Sequence, residues 1–261
     1  MLINSPSTLR GLILLIVLGI FAQCEKDEPS TEASIESTME LTTNAAMQGK
    51  LTIEQSFIHP LQIDMVANRT DGNQFTFSQT NTEDDKKVHL TGMNKAPFEV
   101  PAQQGKYDPI DITLTVQPDP YELIITPGTN GNPDMVDYAD FLDNAKPSLF
   151  FSGKFNNRGQ NTKVVVSISI SDRIRVQATQ FGKPAVALSK QNRAKFTVDP
   201  SYILQDLTVQ TLGSAVIFDH LGEPTILIHR DFNPALYDDV IDRMFEDGAV
   251  KAEMIQLTTK G

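Results

Sequence analysis

Period-two alternation of apolar and polar side chains is the feature that most narrows what this chain can fold into. Ile112, Leu114 and Val116 alternate with Asp111, Thr113, Thr115 and Gln117, which sets one side of a strand on a core and the other in water. The same spacing holds for Leu61, Ile63, Met65 and Ala67, for Val164, Val166, Ile168 and Ile170, and for Ile174, Val176 and Ala178. Turn-forming residues fall between these runs: Asp71 and Gly72 before Phe75 and Phe77, Asn156 to Gly159 before Lys163, and Phe181 to Pro184. Short strands joined by tight turns predict hairpins and antiparallel sheets, because parallel pairing needs long crossovers.

Helical patterning is confined to two places. Met135, Tyr138, Phe141 and Leu142 share one face over 134–144, with Asp134 as the N-cap. Over 233–246, Asn233 stands at the N-cap and Pro234 at the first helical position. There Leu236, Val240, Ile241 and Met244 form the apolar stripe, and Gly248 follows the end.

Val88 to Val100 aligns without gaps on Val186 to Val198, and Tyr107 to Leu114 aligns on Tyr202 to Val209. Any two alternating strands match at their apolar positions, but the pairs Asn94 with Asn192, Lys95 with Arg193 and Asp111 with Asp206 are additional. A duplicated β unit of about 100 residues accounts for them, the size of a small sandwich. The fold expected is mainly β: tandem antiparallel β-sandwich units of immunoglobulin-like or transthyretin-like kind, with one or two short helices. The first unit is expected over 39–146, and the second, with a C-terminal helix, over 147–261.

The start of the chain has another character. Gly11 to Gln23 is an almost wholly apolar run of thirteen residues, preceded by Arg10 and followed at once by Cys24, Glu25, Lys26, Asp27 and Glu28. Thirteen helical residues rise about 20 Å, short of a hydrocarbon core of about 30 Å, so a cleaved secretory signal over 1–23 fits better than a permanent span. The sole cysteine stands where the apolar run stops, in Ile20, Phe21, Ala22, Gln23, Cys24, and this resembles the lipobox of bacterial lipoproteins. Phe21 occupies the place where Leu is usual, and Gln23 that of Gly, Ala or Ser. The resemblance implies a diacylated Cys24 thiol, cleavage before it, and attachment to a membrane as the chain's partner; two or more acyl chains anchor stably where one does not. A chance or buried cysteine after an ordinary signal is the plainer alternative.

Residues 24–38 are polar and poor in large apolar side chains, and read as a flexible acidic tether. The acids and the lysine directly after Cys24 are similar to the surface-export signal of one group of Gram-negative lipoproteins, which implies an outer membrane address at the cell surface. A merely solvated linker is the other reading.

Composition excludes several classes of function. The net charge is −11, and loss of Arg10 with the signal makes the rest more acidic still. No Lys/Arg cluster is present in the sequence to replace the counterions of nucleic acid or of a bare anionic bilayer. No Gly-x-Ser-x-Gly turn exists for a serine hydrolase, and His59, His89, His220 and His229 lack metal-ligand spacing. His89 and His229 fall at polar strand positions and are expected to face solvent. Asn130, Asp134 and Asp137, and separately Asp84 and Asp85, offer oxygen donors without the twelve-residue calcium loop. The chain has no Trp and five Tyr, few platforms for a sugar cleft, and core packing is the expected role for most of the Tyr residues. Asn68 to Thr70 matches a glycosylation sequon but reads as the start of a hairpin loop.

The segment carrying Phe98, Glu99, Val100, Pro101, Gly105, Tyr107, Ile112 and Leu114 is similar to strands of uncharacterised β-sandwich lipoproteins. That resemblance implies a fold more than an activity; the lipid attachment, the tether, the tandem β units and the lack of a recognisable catalytic set lead to the expectation of a surface-anchored, non-enzymatic module for binding, adhesion or structure, with no cofactor, no metal and no catalytic residues. An accessory subunit of an outer-membrane nutrient-uptake system, or a hydrolase with an acidic site, are the alternatives.

Overall fold

In the computed structural model, residues 32–82, 87–91, 97–118, 125–127, 133–135, 147–220 and 223–257 are described, and 33–261 form one compact unit. The strands are, in chain order, β1 (Glu32–Leu41), β2 (Ala45–Ala46), β3 (Leu51–Ile58), β4 (Pro60–Arg69), β5 (Gln74–Thr80), β6 (Val88–His89), β7 (Glu99–Gln103), β8 (Gly105–Val116), β9 (Ile125–Pro127) and β10 (Pro133–Met135). They continue with β11 (Leu149–Asn157), β12 (Gln160–Ile168), β13 (Asp172–Thr179), β14 (Val186–Leu188), β15 (Gln191–Val198), β16 (Ile217–His220), β17 (Glu223–Ile228) and β18 (Val250–Gln256). The described helices are α1 (Pro200–Ile203), α2 (Val209–Gly213) and α3 (Pro234–Met244). The protein is mainly β, and no described helix is long and apolar enough to cross a membrane.

Among the described residues, nine strands form one sheet in the order β5-β4-β8-β13-β18-β15-β1-β7, with β14 also beside β8. Seven form a second, β16-β17-β12-β11-β3-β2, with β6 beside β3, while β9 and β10 make a separate ribbon. Both large sheets combine strands from before and after residue 146. The expected division into 39–146 and 147–261 therefore does not separate two successive sandwiches. Alternation specifies which face of a strand is buried but not which strand lies beside it.

The aligned segments also diverge. β6 joins the smaller sheet whereas β14 joins the larger one. Tyr107 to Leu114 is β strand, but Tyr202 to Val209 holds the end of α1, a loop and the start of α2. Asp199 accepts from the Ser201 and Tyr202 amides and Thr208 from that of Thr211, so side-chain caps turn that apolar spacing helical.

Three pairings are parallel rather than antiparallel: β1 with β15, β12 with β17 and β13 with β18. Each joins strands distant in sequence, which leaves room for the crossover that parallel pairing requires.

The nine-stranded sheet is rolled. In a flat sheet the five interstrand steps from β8 to β7 would span about 24 Å. Gln104 alone joins the two strands, and two peptide units reach no more than about 7.6 Å. Consistently, the Tyr107 hydroxyl donates to Gln103 O at 2.8 Å, and Arg69 Nη1 of β4 to Gln103 Oε1 at 3.2 Å. Roll and alternation together direct Ile63, Met65, Ala67, Tyr107, Ile110, Ile112, Leu114, Ala194 and Phe196 into a core continuous with that of the second sheet.

Residues 32–38, expected within the tether, form most of β1. Ala33, Ile35, Ser37 and Met39 are buried, and the strand sits between β15 and β7. The Ser37 hydroxyl donates to Phe98 O at 3.1 Å and accepts from the Phe98 amide at 3.0 Å. Asn192 Nδ2 donates to Ser34 O at 3.1 Å and to Ser189 O at 2.7 Å. Small side chains at the inward positions hid the strand from a hydropathy reading.

Two of the three expected hairpins form, β4 with β5 and β11 with β12; at Phe181 to Pro184 a tight turn closes only the bridge Gln180 to Lys183, and β13 and β14 run one after the other along β8. Gly72, Arg158 with Gly159, and Phe181 with Gly182 take positive φ at these turns. Asp134 lies in β10, opposite Thr126, so it is a strand residue and not a helix cap. The remainder of the expected 134–144 helix lies outside the described residues. α3 buries Leu236, Tyr237, Val240 and Met244. Asn233 does not cap it: its Oδ1 accepts from the Val216 amide at 2.9 Å and its Nδ2 donates to Leu227 O at 2.8 Å.

Two predictions follow from this packing. A chain beginning at residue 39 lacks the buried half of β1 and will show no cooperative thermal unfolding by circular dichroism, whereas one beginning at residue 31 will. At Gly153 the strand pairing shifts register and a Cβ would meet the Thr52 carbonyl. Gly153→Ala should therefore lose about 2 kcal/mol in urea denaturation.

Candidate functional site

Among the described residues, those singled out in the sequence do not converge. Cys24, Asp84, Asp85, Asn130 and Asp137 lie outside the described residues. Among the described residues no three His, Cys, Asp or Glu side chains gather where they could hold a metal ion.

The histidines separate by environment. His59 stands between β3 and β4, where the chain passes from one sheet to the other, and is buried. Its Nδ1 lies 2.6 Å from Pro147 O, and since a carbonyl only accepts, that nitrogen carries the proton. His89 is exposed on β6, and His220 lies on β16. His229, expected to face solvent, is instead largely buried beside Phe232 and Tyr237, with ring centroids 6.0 and 6.3 Å away. The chain turns inward after β17 to begin α3 and carries the imidazole with it.

The described tyrosines, Tyr107, Tyr202 and Tyr237, serve the core and its margin, while Tyr121 and Tyr138 lie outside the described residues. Tyr107 and Tyr237 are buried, and burial raises the Tyr107 phenol above its usual range. Tyr202 donates to Glu246 at 2.9 Å. Arg243 reaches Asp206 at 2.6 Å and Glu246 at 2.7 Å, tying the loop after α1 to the end of α3. The hydrogen bond from Arg243, then that from Tyr202, hold the Glu246 carboxyl below its ordinary value.

The arrangement best suited to holding a ligand is one that the sequence reading did not assemble. On the smaller sheet, Phe57 of β3 lies opposite Phe150 of β11, with rings stacked at 4.6 Å and 9°. His89 lies opposite Phe57 on its other side, edge-on at 6.2 Å, and Lys87 Nζ stands 4.5 Å from the Phe57 centroid. Two register positions along, on the same face, Gln55 lies opposite Ser152. These side chains, with Thr91 and Lys163, line a depression of about 330 Å³. Lys163 also borders a neighbouring hollow of about 260 Å³ formed with Glu54, Lys154, Asn161, Glu223 and Pro224.

Among the described residues, the first hollow is lined by two ammonium groups, an imidazole, an amide and two hydroxyls. The second is balanced, since Lys154 pairs with Glu54 at 2.7 Å. Donor-bearing lining beside an aromatic pair suits an anionic or polyhydroxylated ligand. The available signal was the run Leu149, Phe150, Phe151, where consecutive apolar residues bury both faces of a strand.

A larger cleft of about 570 Å³ lies between the turn after β2 and helices α1 and α2, lined by Met47, Gln48, Lys50, Ser201, Gln205, Leu207, Thr208 and Val209. Met47 and Gln48 both hold positive φ, and the Ser201 hydroxyl fastens the turn through Ala45 O at 2.9 Å.

Comparison with protein-family models, with curated proteins and with solved structures found no match.

Burial holds the His229 imidazole below its ordinary range, Asp231 opposing and Arg230 adding to the effect. The Asp231 amide donates to its Nδ1 at 3.3 Å. As pH falls, the unfolded chain takes up this proton first, so stability drops from about pH 6.5 downward through the folded value. His229→Leu will flatten the fall in urea midpoint between about pH 7 and 5.

Proposed function

We propose that the protein is a lipoprotein held at a membrane through acyl chains on Cys24, and that its folded part is a surface-exposed, non-enzymatic module for binding, adhesion or structure. The observation that carries this reading is the placement of the sole cysteine at the end of a thirteen-residue apolar run. Attachment there leaves all of β1 available to the fold, and lipidation consumes a thiol that would otherwise be exposed to oxidation. The acidic cluster after Cys24 supports the outer membrane and its outer leaflet as the address.

For the binding role, support comes from the donor-rich hollow around Lys87, His89 and Lys163. Its chemistry favours capture of an anionic ligand, the kind of task an accessory subunit of a nutrient-uptake system performs.

The test is Cys24→Ala in cells supplied with labelled palmitate. The wild-type chain will take up label, shorten by 23 residues and sediment with membranes, whereas the variant will remain unlabelled and uncut before residue 24. Equal membrane association and equal length of the two proteins would refute the anchor.

A further inference from the structure

Phe181 is 89% exposed, yet it occupies a place where neither folding nor turn chemistry asks for an aromatic ring. It sits at φ +53° with Gly182 at +73°, at the tip of a two-residue turn in which Gln180 and Lys183 exchange backbone hydrogen bonds of 2.8 and 3.1 Å. Such turns favour Asn, Asp or Gly at the first of these positions. The Gln180 side chain braces the tip by accepting from the Ala187 amide at 2.9 Å.

The sheet register shows which end of the molecule carries this tip. Thr179 pairs with Glu253, Glu253 with Lys195, and Lys195 with Thr38. β13 runs on from that row to the turn, and β1 extends from it toward Glu32 in the same direction. Lys190 O accepts from the Ser34 amide at 3.0 Å, and Lys106 pairs with Ala187. Lys106, Lys183 and Lys190 are exposed, and Asp71 at this end is paired with Arg69 at 3.0 Å. Three lysines and a presented phenyl ring thus gather, in a chain of net charge −11, where β1 begins. From Glu32 back to Cys24 the backbone can span no more than about 29 Å.

We propose that this end of the rolled sheet faces the bilayer, with Phe181 entering the headgroup–acyl boundary and Lys106, Lys183 and Lys190 against anionic lipid headgroups. The inference rests on the Cys24 anchor for tethering. The acidic chain does not seek a bare anionic bilayer from solution; the tether supplies the local concentration at which one ring and three charges suffice to orient it.

The chain contains no Trp, so Phe181→Trp introduces a single fluorophore at the tip. The chain from Cys24 onward, which keeps the whole compact unit, is coupled through its thiol to maleimide lipid in vesicles of phosphatidylcholine and phosphatidylglycerol. With brominated acyl chains, Phe181→Trp is expected to lose about half its emission and shift to the blue, as an interfacial aromatic does. Ile217→Trp, half-exposed on β16, should do neither, and Lys183→Glu with Lys190→Glu should weaken quenching at the tip. Equal quenching at both positions, none at the tip, or a concentration-dependent blue shift without vesicles, which would indicate a second copy, overturns the inference. Because the coupling is chemical, failure here leaves lipidation of Cys24 in cells standing, and failure of that lipidation leaves this measurement intact.

Discussion

The insertion of β1 between β15 and β7 is the constraint on which the rest of the structure depends. A sheet whose neighbouring strands come from opposite ends of the chain cannot close until both ends are present. Ser37 on Phe98 and Asn192 on Ser34 fix the strand on either side. Ile35 and Met39 each add about 1.5–3 kcal/mol of burial. With β1 in place, β7 can return to β8 through Gln104, and the roll that encloses the core follows.

That placement links fold to function. A membrane attachment at Cys24 would act directly on a strand inside the sheet, with only residues 25–31 between them. Load on the anchor would then pass along a ladder of hydrogen bonds rather than through a loose leader. The hollow lined by Phe57, His89, Phe150 and Lys163 lies on the other, smaller sheet, away from the strand that the anchor would load.

Alternation along β4, β8 and β13 was legible from side-chain pattern, as were the β4–β5 and β11–β12 hairpins and α3, because burial of one face and turn chemistry are local; β12 is buried on both faces over 164–168, and the turn at Phe181 joins no hairpin. Strand order was not, since register between distant strands depends on shape complementarity that no single segment displays. β1 escaped because Ala33 and Ser37 are small, and Asp199 and Thr208 turned an apparently strand-like segment helical through caps. Asn233 looked like a cap and is instead a buried clamp on Val216 and Leu227. The hollow at Phe57 and Phe150 required the β3–β11 pairing before its residues could be seen together.

Amide hydrogen exchange over 33–41 tests the central claim most directly. Ser34, Ser37 and Leu41, whose amides donate to Lys190 O, Phe98 O and Leu90 O, are expected to be protected to the same degree as β8 and β15. Exchange of these amides at the rate of an unstructured peptide, while β8 and β15 remain protected, would contradict it.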